Sequence, residues 1–236
     1  MDYFEYKNVV IETPHSMEAE AYRKLELNIA IAGLASHIQV IQCTSATPED
    51  GKTTTSINLA AVYAEKGKKV IILDFDLRRP KIHRAFHKIN EKGFFDYITE
   101  NVDYHDLIVH DDSHIDLLLT GKKISYPHIA LGSKKAVELI EALRKDYDYI
   151  VVDTPPVLSV TDPLVVSKYV DGVVFVAAYN KTRKEDSKEG LRLLRANNAN
   201  VIGGVLANID VRKNRGYYGK NYYYGYGEHE KDTNKE

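Results

Sequence analysis

A segment near residue 50 has the residue types and the spacing that hold a phosphate group. Residues 46–53 read Ala-Thr-Pro-Glu-Asp-Gly-Lys-Thr, between an apolar run and a helical pattern. In such a loop, backbone N–H groups and the positive end of the helix surround phosphate oxygens, a lysine reaches the outer phosphates and a hydroxyl binds Mg²⁺. The residues expected to contact a nucleotide are Ala46, Glu49, Asp50, Gly51, Lys52, Thr53 and Thr54, with Ala46 where the usual pattern has its first glycine.

Three aspartates stand where predicted strands end. Asp74 and Asp76 follow one apolar run, and Asp153 ends another before a diproline turn. Ligands of open parallel sheets bind outside the carboxyl ends of the strands, and a carboxylate there can hold Mg²⁺ directly or through water. Aspartate at a strand end is also an ordinary turn residue, so each position alone is a weak signal. With the phosphate loop, they predict a metal-assisted phosphate site in which Thr53 and Asp153 serve the metal.

Apolar runs alternate with helical patterns along the chain, which is typical of βαβ units. Several runs are nearly continuous Val, Ile and Leu, as expected of strands buried on both sides. The predicted strands are 38–43, 69–74, 115–119, 149–153, 173–178 and 201–206. The predicted helices are 18–32, 53–66, 133–145, 161–168 and 184–197. The sequence therefore predicts an α/β fold, with a P-loop NTPase-like, mostly parallel sheet and helices on both faces.

Length, composition and charge limit the class of protein. The 236 residues, 44% hydrophobic and 28% charged, fit one globular domain. A formal net charge of -2 provides no overall field that attracts nucleic acid, so we expect no nucleic-acid partner. The single cysteine, Cys43, lies in an apolar run and is predicted to be buried. We find neither a secretion signal nor an apolar run of about 20 residues, and expect a cytoplasmic protein.

Tyrosine is over-represented and concentrated near the C-terminus. The chain has 17 Tyr against 6 Phe and no Trp. Apolar periodicity stops at residue 212, which predicts a domain at 1–211 and a flexible tail at 212–236. Such a tail could stack on a partner or on nucleic acid, but if the domain before it is a kinase, its exposed tyrosines are better explained as phosphate acceptors. The predicted acceptors are Tyr217, Tyr218, Tyr222, Tyr223, Tyr224 and Tyr226.

Together these motifs resemble the bacterial tyrosine kinases of capsule and exopolysaccharide biosynthesis. The resemblance covers nearly the whole chain and rests on residues 45–53, 71–80, 153–156 and 204–208 and on the tyrosine cluster. It implies a protein-tyrosine kinase with ATP and Mg²⁺ as cofactors. Such an enzyme would autophosphorylate its C-terminal tyrosines in trans and regulate polysaccharide synthesis and export.

The resemblance also implies roles for single residues. Lys52, Asp74 and Asp76 would be catalytic, with Asp74 taking the proton of the tyrosine and Asp76 serving the metal. Asn208 would face the nucleotide base, although asparagine at a strand end is equally typical of a turn. Positioning, charge neutralisation and a carboxylate near the acceptor hydroxyl are what phosphoryl transfer requires.

The resemblance implies partners as well. It predicts a transmembrane adaptor of the polysaccharide co-polymerase type that holds the kinase at the inner face of the membrane, a cognate tyrosine phosphatase, and a homo-oligomer such as a ring. Glu20 and Arg23 of the N-terminal helix match part of the family's ring motif, but Glu26 replaces its second arginine. An ordinary amphipathic helix, with Tyr22, Leu25, Ile29 and Ala32 on its packed side, explains the same residues.

Two other functions fit a phosphate loop. A partitioning or septum-positioning ATPase would carry a signature lysine at the second position of the loop, where this chain has Thr47. A nucleotide-dependent scaffold without catalysis need not retain Lys52 and all three aspartates. Both alternatives are therefore disfavoured.

Overall fold

The computed structural model describes residues 6–34, 36–100 and 102–209 of the chain. Within these residues, seven strands form one sheet with helices on both faces. The strands are β1 (Val40–Ser45), β2 (Val70–Asp74), β3 (Ile108–His110), β4 (Ile115–Leu118), β5 (Tyr149–Asp153), β6 (Gly172–Ala178) and β7 (Val201–Ala207). The α-helices are α1 (Val9–Glu12), α2 (Met17–Ala32), α3 (Lys52–Glu65), α4 (Ile82–Ala85), α5 (Phe94–Glu100), α6 (Pro127–Leu131), α7 (Lys134–Asp146), α8 (Asp162–Val166) and α9 (Lys184–Ala196).

The order of the strands brings the chemical motifs to one edge of the sheet. The order is β3-β4-β2-β5-β1-β6-β7, and every neighbouring pair is parallel except β3 and β4. Strand β5 lies between β1 and β2, and its register pairs Asp153 with Cys43 on one side and with Asp74 on the other. The loop after β1 and both aspartates therefore meet at the carboxyl ends of three adjacent strands.

Side chains of the central strands alternate between two apolar layers, as the two-residue period of a strand requires. In β2, Ile72 packs in the layer that contains α3, whereas Ile71 and Leu73 pack in the layer that contains α7. Ser133 caps the first turn of helix α7. The apolar residues of α7 recur at a spacing of three to four and are buried against the sheet. The sheet is covered on both faces and holds its carboxyl edge in a fixed position.

The predicted strands and main helices all occur, with ends displaced by a few residues. Helix α8 is shorter than predicted, and the short strand β3 and the helices α1, α4, α5 and α6 were not predicted. The placement of Ala32 on the packed side of α2 was wrong, because Ala32 is exposed while Ile29 is buried. Cys43 is fully buried as predicted, and burial raises the pKa of its thiol to about 12.

Asp171 links the start of β1 to the end of α7 by hydrogen bonds. Its carboxylate accepts the backbone N–H groups of Gln39 and Val40 and a two-bonded contact from the Arg144 guanidinium at 2.6 and 2.7 Å. Burial acts to raise the pKa of Asp171, but the hydrogen bonds from Arg144 and the two N–H groups outweigh it and hold the pKa below its ordinary value. The charged carboxylate therefore stabilises the fold.

We expect Asp171→Asn to lower the free energy of unfolding at pH 7 by about 2 kcal/mol, because charged hydrogen bonds are lost. Since the pKa of Asp171 is depressed in the folded state, its contribution is present above the ordinary aspartate pKa and is lost as the pH falls through the folded value. Urea unfolding at a series of pH values measures this. The difference between variant and wild type should shrink below about pH 4, and a constant difference would contradict the assignment.

Candidate active site

The loop between β1 and α3 has the backbone shape of an anion-binding site. Glu49 and Gly51 have left-handed φ values of 61° and 94°. Within the described residues, the N–H groups of Glu49 and Asp50 donate to no protein acceptor. Left-handed residues in such a turn make neighbouring N–H groups converge on an anion. A Cβ added at Gly51 would come within 3.0 Å of the Ala207 Cβ, so the loop also needs glycine for space.

Lys52 brings one buried positive charge into this site. Its Nζ lies 3.2 Å from Asp76 Oδ2, and both side chains are buried. Burial acts to lower the pKa of Lys52, but the negative charges of Asp153 and Asp76 outweigh it and raise the pKa. The ammonium therefore stays charged, as contact with phosphate oxygens requires.

Asp153 is fully buried at the end of β5 and is held by two hydroxyl groups. The hydroxyl of Thr53 donates to its Oδ2 at 2.8 Å, and that of Ser56 donates to its Oδ1 at 3.3 Å. Burial raises the pKa of Asp153. The structure thus joins the predicted metal residues Thr53 and Asp153 directly and adds Ser56, which sequence analysis missed although it lies one helical turn after Thr53.

Asp74 is fully buried at the end of β2 and has one unused oxygen. Its Oδ2 accepts the N–H groups of Lys81 and Ile82 at 3.0 Å each, whereas its Oδ1 is buried without a hydrogen-bond partner in the described structure. Burial, followed by the charges of Asp153 and Asp76, raises the pKa of Asp74 to about 8. A buried polar atom without a protein partner is a position where water, an ion or a ligand can bind.

The side chains at this edge fit a divalent cation next to a polyphosphate. Three buried carboxylates, those of Asp74, Asp76 and Asp153, face one buried ammonium, that of Lys52. Among the described residues, no three His, Cys, Asp or Glu side chains converge on one point as a fully protein-bound metal needs. Mg²⁺ ordinarily takes one or two protein carboxylates and completes its shell with water and substrate phosphates. The residues are therefore suited to Mg²⁺ that arrives with a nucleotide.

The other residues predicted to bind the nucleotide lie at different positions around the phosphate loop. Gly51, Thr54 and Asn208 line a cleft of about 340 Å³ between α2 and β7, which falls within the usual size range of ligand pockets. Asn208 is exposed and has a left-handed φ of 59°, so its turn geometry and its place beside the cleft are both observed. Ala46 is fully buried behind the loop and packs near Val157.

The carboxylates of Glu49 and Asp50 bind other groups of the protein rather than a nucleotide. Glu49 is exposed and pairs with Lys181 at 3.3 Å. Asp50 is fully buried, and its carboxylate accepts hydrogen bonds from Thr47 and from the Thr182 hydroxyl. Any contribution of these two residues to nucleotide binding comes from their backbone N–H groups.

Arg78 fixes the loop that follows β2. Its guanidinium donates to both oxygens of Asp162 at 2.8 and 3.2 Å, and Asp162 is fully buried at the start of α8. In the same loop, the N–H of Arg79 donates to Asp76 Oδ1 at 3.1 Å. The Arg79 N–H and the Lys52 ammonium thus bind different oxygens of Asp76. Arg78 lies within the 71–80 segment, but nothing in the sequence indicates this role, because its partner lies 84 residues away.

The residues predicted for oligomerisation lie at the far end of α3 from the phosphate loop. Arg23 donates to both oxygens of Glu65, the last residue of α3, at 2.9 and 2.7 Å, and its guanidinium is 3.6 Å from Glu20. Glu26 is buried and pairs with Lys66 in the same chain. The charges of this motif thus have partners within the chain, and assembly through Glu20 and Arg23 stays a prediction. The six tail tyrosines and the 211/212 boundary lie outside the described residues.

Comparison with known proteins decides the family. A family model described as an AAA domain matches residues 39–182. The chain is 33% identical to the tyrosine-protein kinase YwqD of Bacillus subtilis over 217 residues, which span 90% of this chain and 92% of the relative. The chain belongs to the bacterial tyrosine-protein kinases. A second member, the putative tyrosine-protein kinase CapB of Staphylococcus aureus, is 32% identical, with 92% of this chain and 94% of that protein covered.

Solved structures agree with membership of the bacterial tyrosine-protein kinases. The kinase domain of the Escherichia coli tyrosine kinase ETK superposes with a TM-score of 0.83 at 28% identity, covering 89% of this chain and 82% of that one. The septum site-determining protein MinD of Pyrococcus horikoshii superposes less closely, with a TM-score of 0.61 at 21% identity and with 72% and 70% of the two chains covered. The likeness to MinD therefore shows a shared P-loop NTPase-like fold alone, and the α/β prediction is confirmed.

No helix in the described part of this kinase has the length and apolar composition that crossing a bilayer requires.

Proposed function

We propose that this kinase transfers the γ-phosphoryl group of ATP, with Mg²⁺, to tyrosines of its own C-terminal segment, in trans between copies. The observation that carries the proposal is the arrangement at the carboxyl edge of the sheet. Lys52 lies beside an anion-binding loop, and Asp74 presents a buried, unpaired oxygen next to Asp76 and Asp153. Phosphoryl transfer depends chiefly on positioning and on neutralising charge, and these groups supply both.

Each residue of the site has a defined task in this proposal. ATP would supply the phosphoryl group and leave as ADP, and Thr53, Asp76 and Asp153 would hold Mg²⁺, which would offset phosphate charge. Lys52 binds the outer phosphate oxygens with its charged ammonium. Asp74 takes the proton of the attacking tyrosine hydroxyl at its Oδ1. Burial raises the pKa of Asp74 to about 8, and a nearby cation would favour the ionised form that accepts a proton.

The tail residues are proposed as the acceptors. Six tyrosines within ten positions, separated by glycines, follow directly on the kinase domain. Phosphorylation of all six would add roughly nine to twelve negative charges to a chain of formal charge -2. Modified tails would be repelled by the carboxylates of the site, so we infer that phosphorylation weakens self-association and thereby regulates capsular or exopolysaccharide synthesis and export.

The family also supports three proposed partners. They are a transmembrane adaptor of the co-polymerase type, which would place the kinase at the inner face of the membrane, a second copy of the chain, and a cognate tyrosine phosphatase. Addition of a cytoplasmic adaptor fragment should raise the rate of phosphorylation by purified kinase. Full activity without the fragment, unchanged on dilution, would remove the adaptor from the proposal.

Incubation of the purified chain with ATP and Mg²⁺ tests the function itself. We expect phosphotyrosine on the protein, detected by antibody and by intact mass. Release of phosphate without protein phosphorylation would favour the ATPase alternative. Nucleotide binding without turnover would favour a scaffold.

Transfer in trans is tested by mixing two full-length variants. One carries Lys52→Met with an intact tail, and the other is active but has the six tail tyrosines replaced by phenylalanine. The Lys52→Met chain should become phosphorylated in the mixture, because its tail can enter the site of the active chain. An unmodified Lys52→Met chain would mean that transfer occurs within one chain.

A further inference from the structure

The connection between β6 and α9 touches the back of the phosphate loop. The ammonium of Lys181 donates to the carbonyl oxygens of Pro48 and Glu49, each at 2.8 Å, and lies 3.3 Å from the Glu49 carboxylate. Its partners are more than 130 residues away in the sequence. Neither the loop pattern nor the family resemblance assigned Lys181 a role.

These two carbonyl contacts control the direction of two N–H groups. The C=O and N–H of a trans peptide are held in one plane on opposite sides of the C–N bond, and the described chain contains no cis peptide bond. Holding the carbonyls of Pro48 and Glu49 toward Lys181 therefore turns the N–H groups of Glu49 and Asp50 away from it. Those N–H groups have no protein acceptor in the described structure and are available to phosphate oxygens.

The same contacts stabilise an unfavourable backbone conformation. Glu49 has a φ of 61°, in the left-handed region that non-glycine residues rarely adopt. Such residues persist where surrounding contacts hold them. The hydrogen bonds of Lys181 lie on both peptide groups that flank Glu49, so they act directly on this conformation.

Thr182 joins the loop to the sheet beside Lys181. Its hydroxyl donates to Asp50 Oδ1 at 2.8 Å and accepts the N–H of Ala178, the last residue of β6, at 2.7 Å. The Asp50 carboxylate also accepts the N–H and the hydroxyl of Thr47 at the beginning of the loop. The connection between β6 and α9 thus stabilises the phosphate loop through the buried Asp50 carboxylate and two backbone carbonyls.

We propose that Lys181 is a positioning residue for ATP: by binding the Pro48 and Glu49 carbonyls, it orients the Glu49 and Asp50 N–H groups toward the phosphates. The inference rests on the proposed function, because the ligand is the polyphosphate of ATP. Loss of this orientation weakens binding of substrate and transition state alike, which raises KM more than it changes kcat.

Kinetics of full-length variants test the role of Lys181. We expect Lys181→Met to raise the KM for ATP and the Kd for Mg²⁺-ADP about tenfold, with kcat changed by less than about threefold. Lys181→Arg should restore most of the affinity, because the guanidinium can still donate to two carbonyls. Thermal unfolding without nucleotide should be nearly unchanged, since Lys181 is partly exposed.

Two matched variants distinguish the effect of losing the carbonyl contacts from the effect of losing a positive charge or an ion pair. Lys184→Met removes an exposed lysine at the start of α9 and should leave the KM unchanged. Glu49→Gln removes the ion pair but keeps both carbonyls, and its KM should rise far less than that of Lys181→Met. A wild-type KM in Lys181→Met, or an equal rise in Glu49→Gln, would overturn the inference alone. A wild-type chain that binds no ATP would instead overturn the proposed function.

Discussion

Replacing Lys52 with methionine is expected to lower the rate of ATP-dependent tyrosine phosphorylation by about a hundredfold to a thousandfold, as loss of a charge-stabilising donor typically does. Lys52 is the buried cation among three buried carboxylates, and burial does not remove its charge because Asp153 and Asp76 raise its pKa. Methionine keeps most of the side-chain length and apolar volume but supplies no donor to phosphate oxygens. Initial rates of phosphotyrosine formation at saturating ATP measure the loss.

Lys68→Met is the matched control for Lys52→Met. Lys68 is exposed in the turn between α3 and β2, at the other end of the sheet, so its replacement should leave the rate unchanged. Circular dichroism and thermal unfolding of both variants should show a native fold. Wild-type activity in a folded Lys52→Met chain would contradict the assignment of the phosphate loop.

Asp74→Asn is expected to lower the rate by about a hundredfold or more, the usual contribution of a general base. The asparagine amide oxygen can still accept the N–H groups of Lys81 and Ile82, so the loop after β2 should keep its position. What the variant loses is a carboxylate oxygen that is buried, unpaired and able to take a proton. Affinity for Mg²⁺-ADP should stay within a few fold of wild type while kcat falls.

Asp112→Asn provides the comparison for Asp74→Asn, because Asp112 is exposed in the loop between β3 and β4. It should phosphorylate at the wild-type rate. Equal rates for Asp74→Asn and wild type would show that Asp74 neither takes the proton nor supports the metal. A large loss of Mg²⁺-ADP affinity with unchanged kcat would give Asp74 a binding role instead.

The sequence alone was sufficient to predict those parts of the site that depend on local patterns of residues. The loop at 46–53 carries its own glycine, lysine and threonine, and the apolar runs before Asp74 and Asp153 mark buried strands that end at these residues. The general rule that ligands bind at the carboxyl ends of parallel strands then placed both aspartates near the loop. Local patterns do not specify the order of the strands. They therefore did not predict that Asp74 and Asp153 lie side by side in β2 and β5.

Other features depend on contacts between distant segments or on local geometry that was misjudged. Lys181 and Arg78 find their partners far along the chain, so nothing near them in the sequence indicates a role. Ser56, in contrast, could have been found from its position one turn after Thr53. The prediction for Ala32 was wrong because α2 has left the core one turn beyond Ile29.

Site-resolved mass spectrometry of the wild-type chain after incubation with ATP and Mg²⁺ is the most direct test that this kinase modifies its own tail. We predict phosphotyrosine within residues 217–226, no incorporation when Mg²⁺ is removed with a chelator, and incorporation slowed by about a hundredfold to a thousandfold when Lys52→Met is incubated alone. Phosphoryl groups confined to residues 6–209, or an unmodified chain with active phosphate release, would contradict the account.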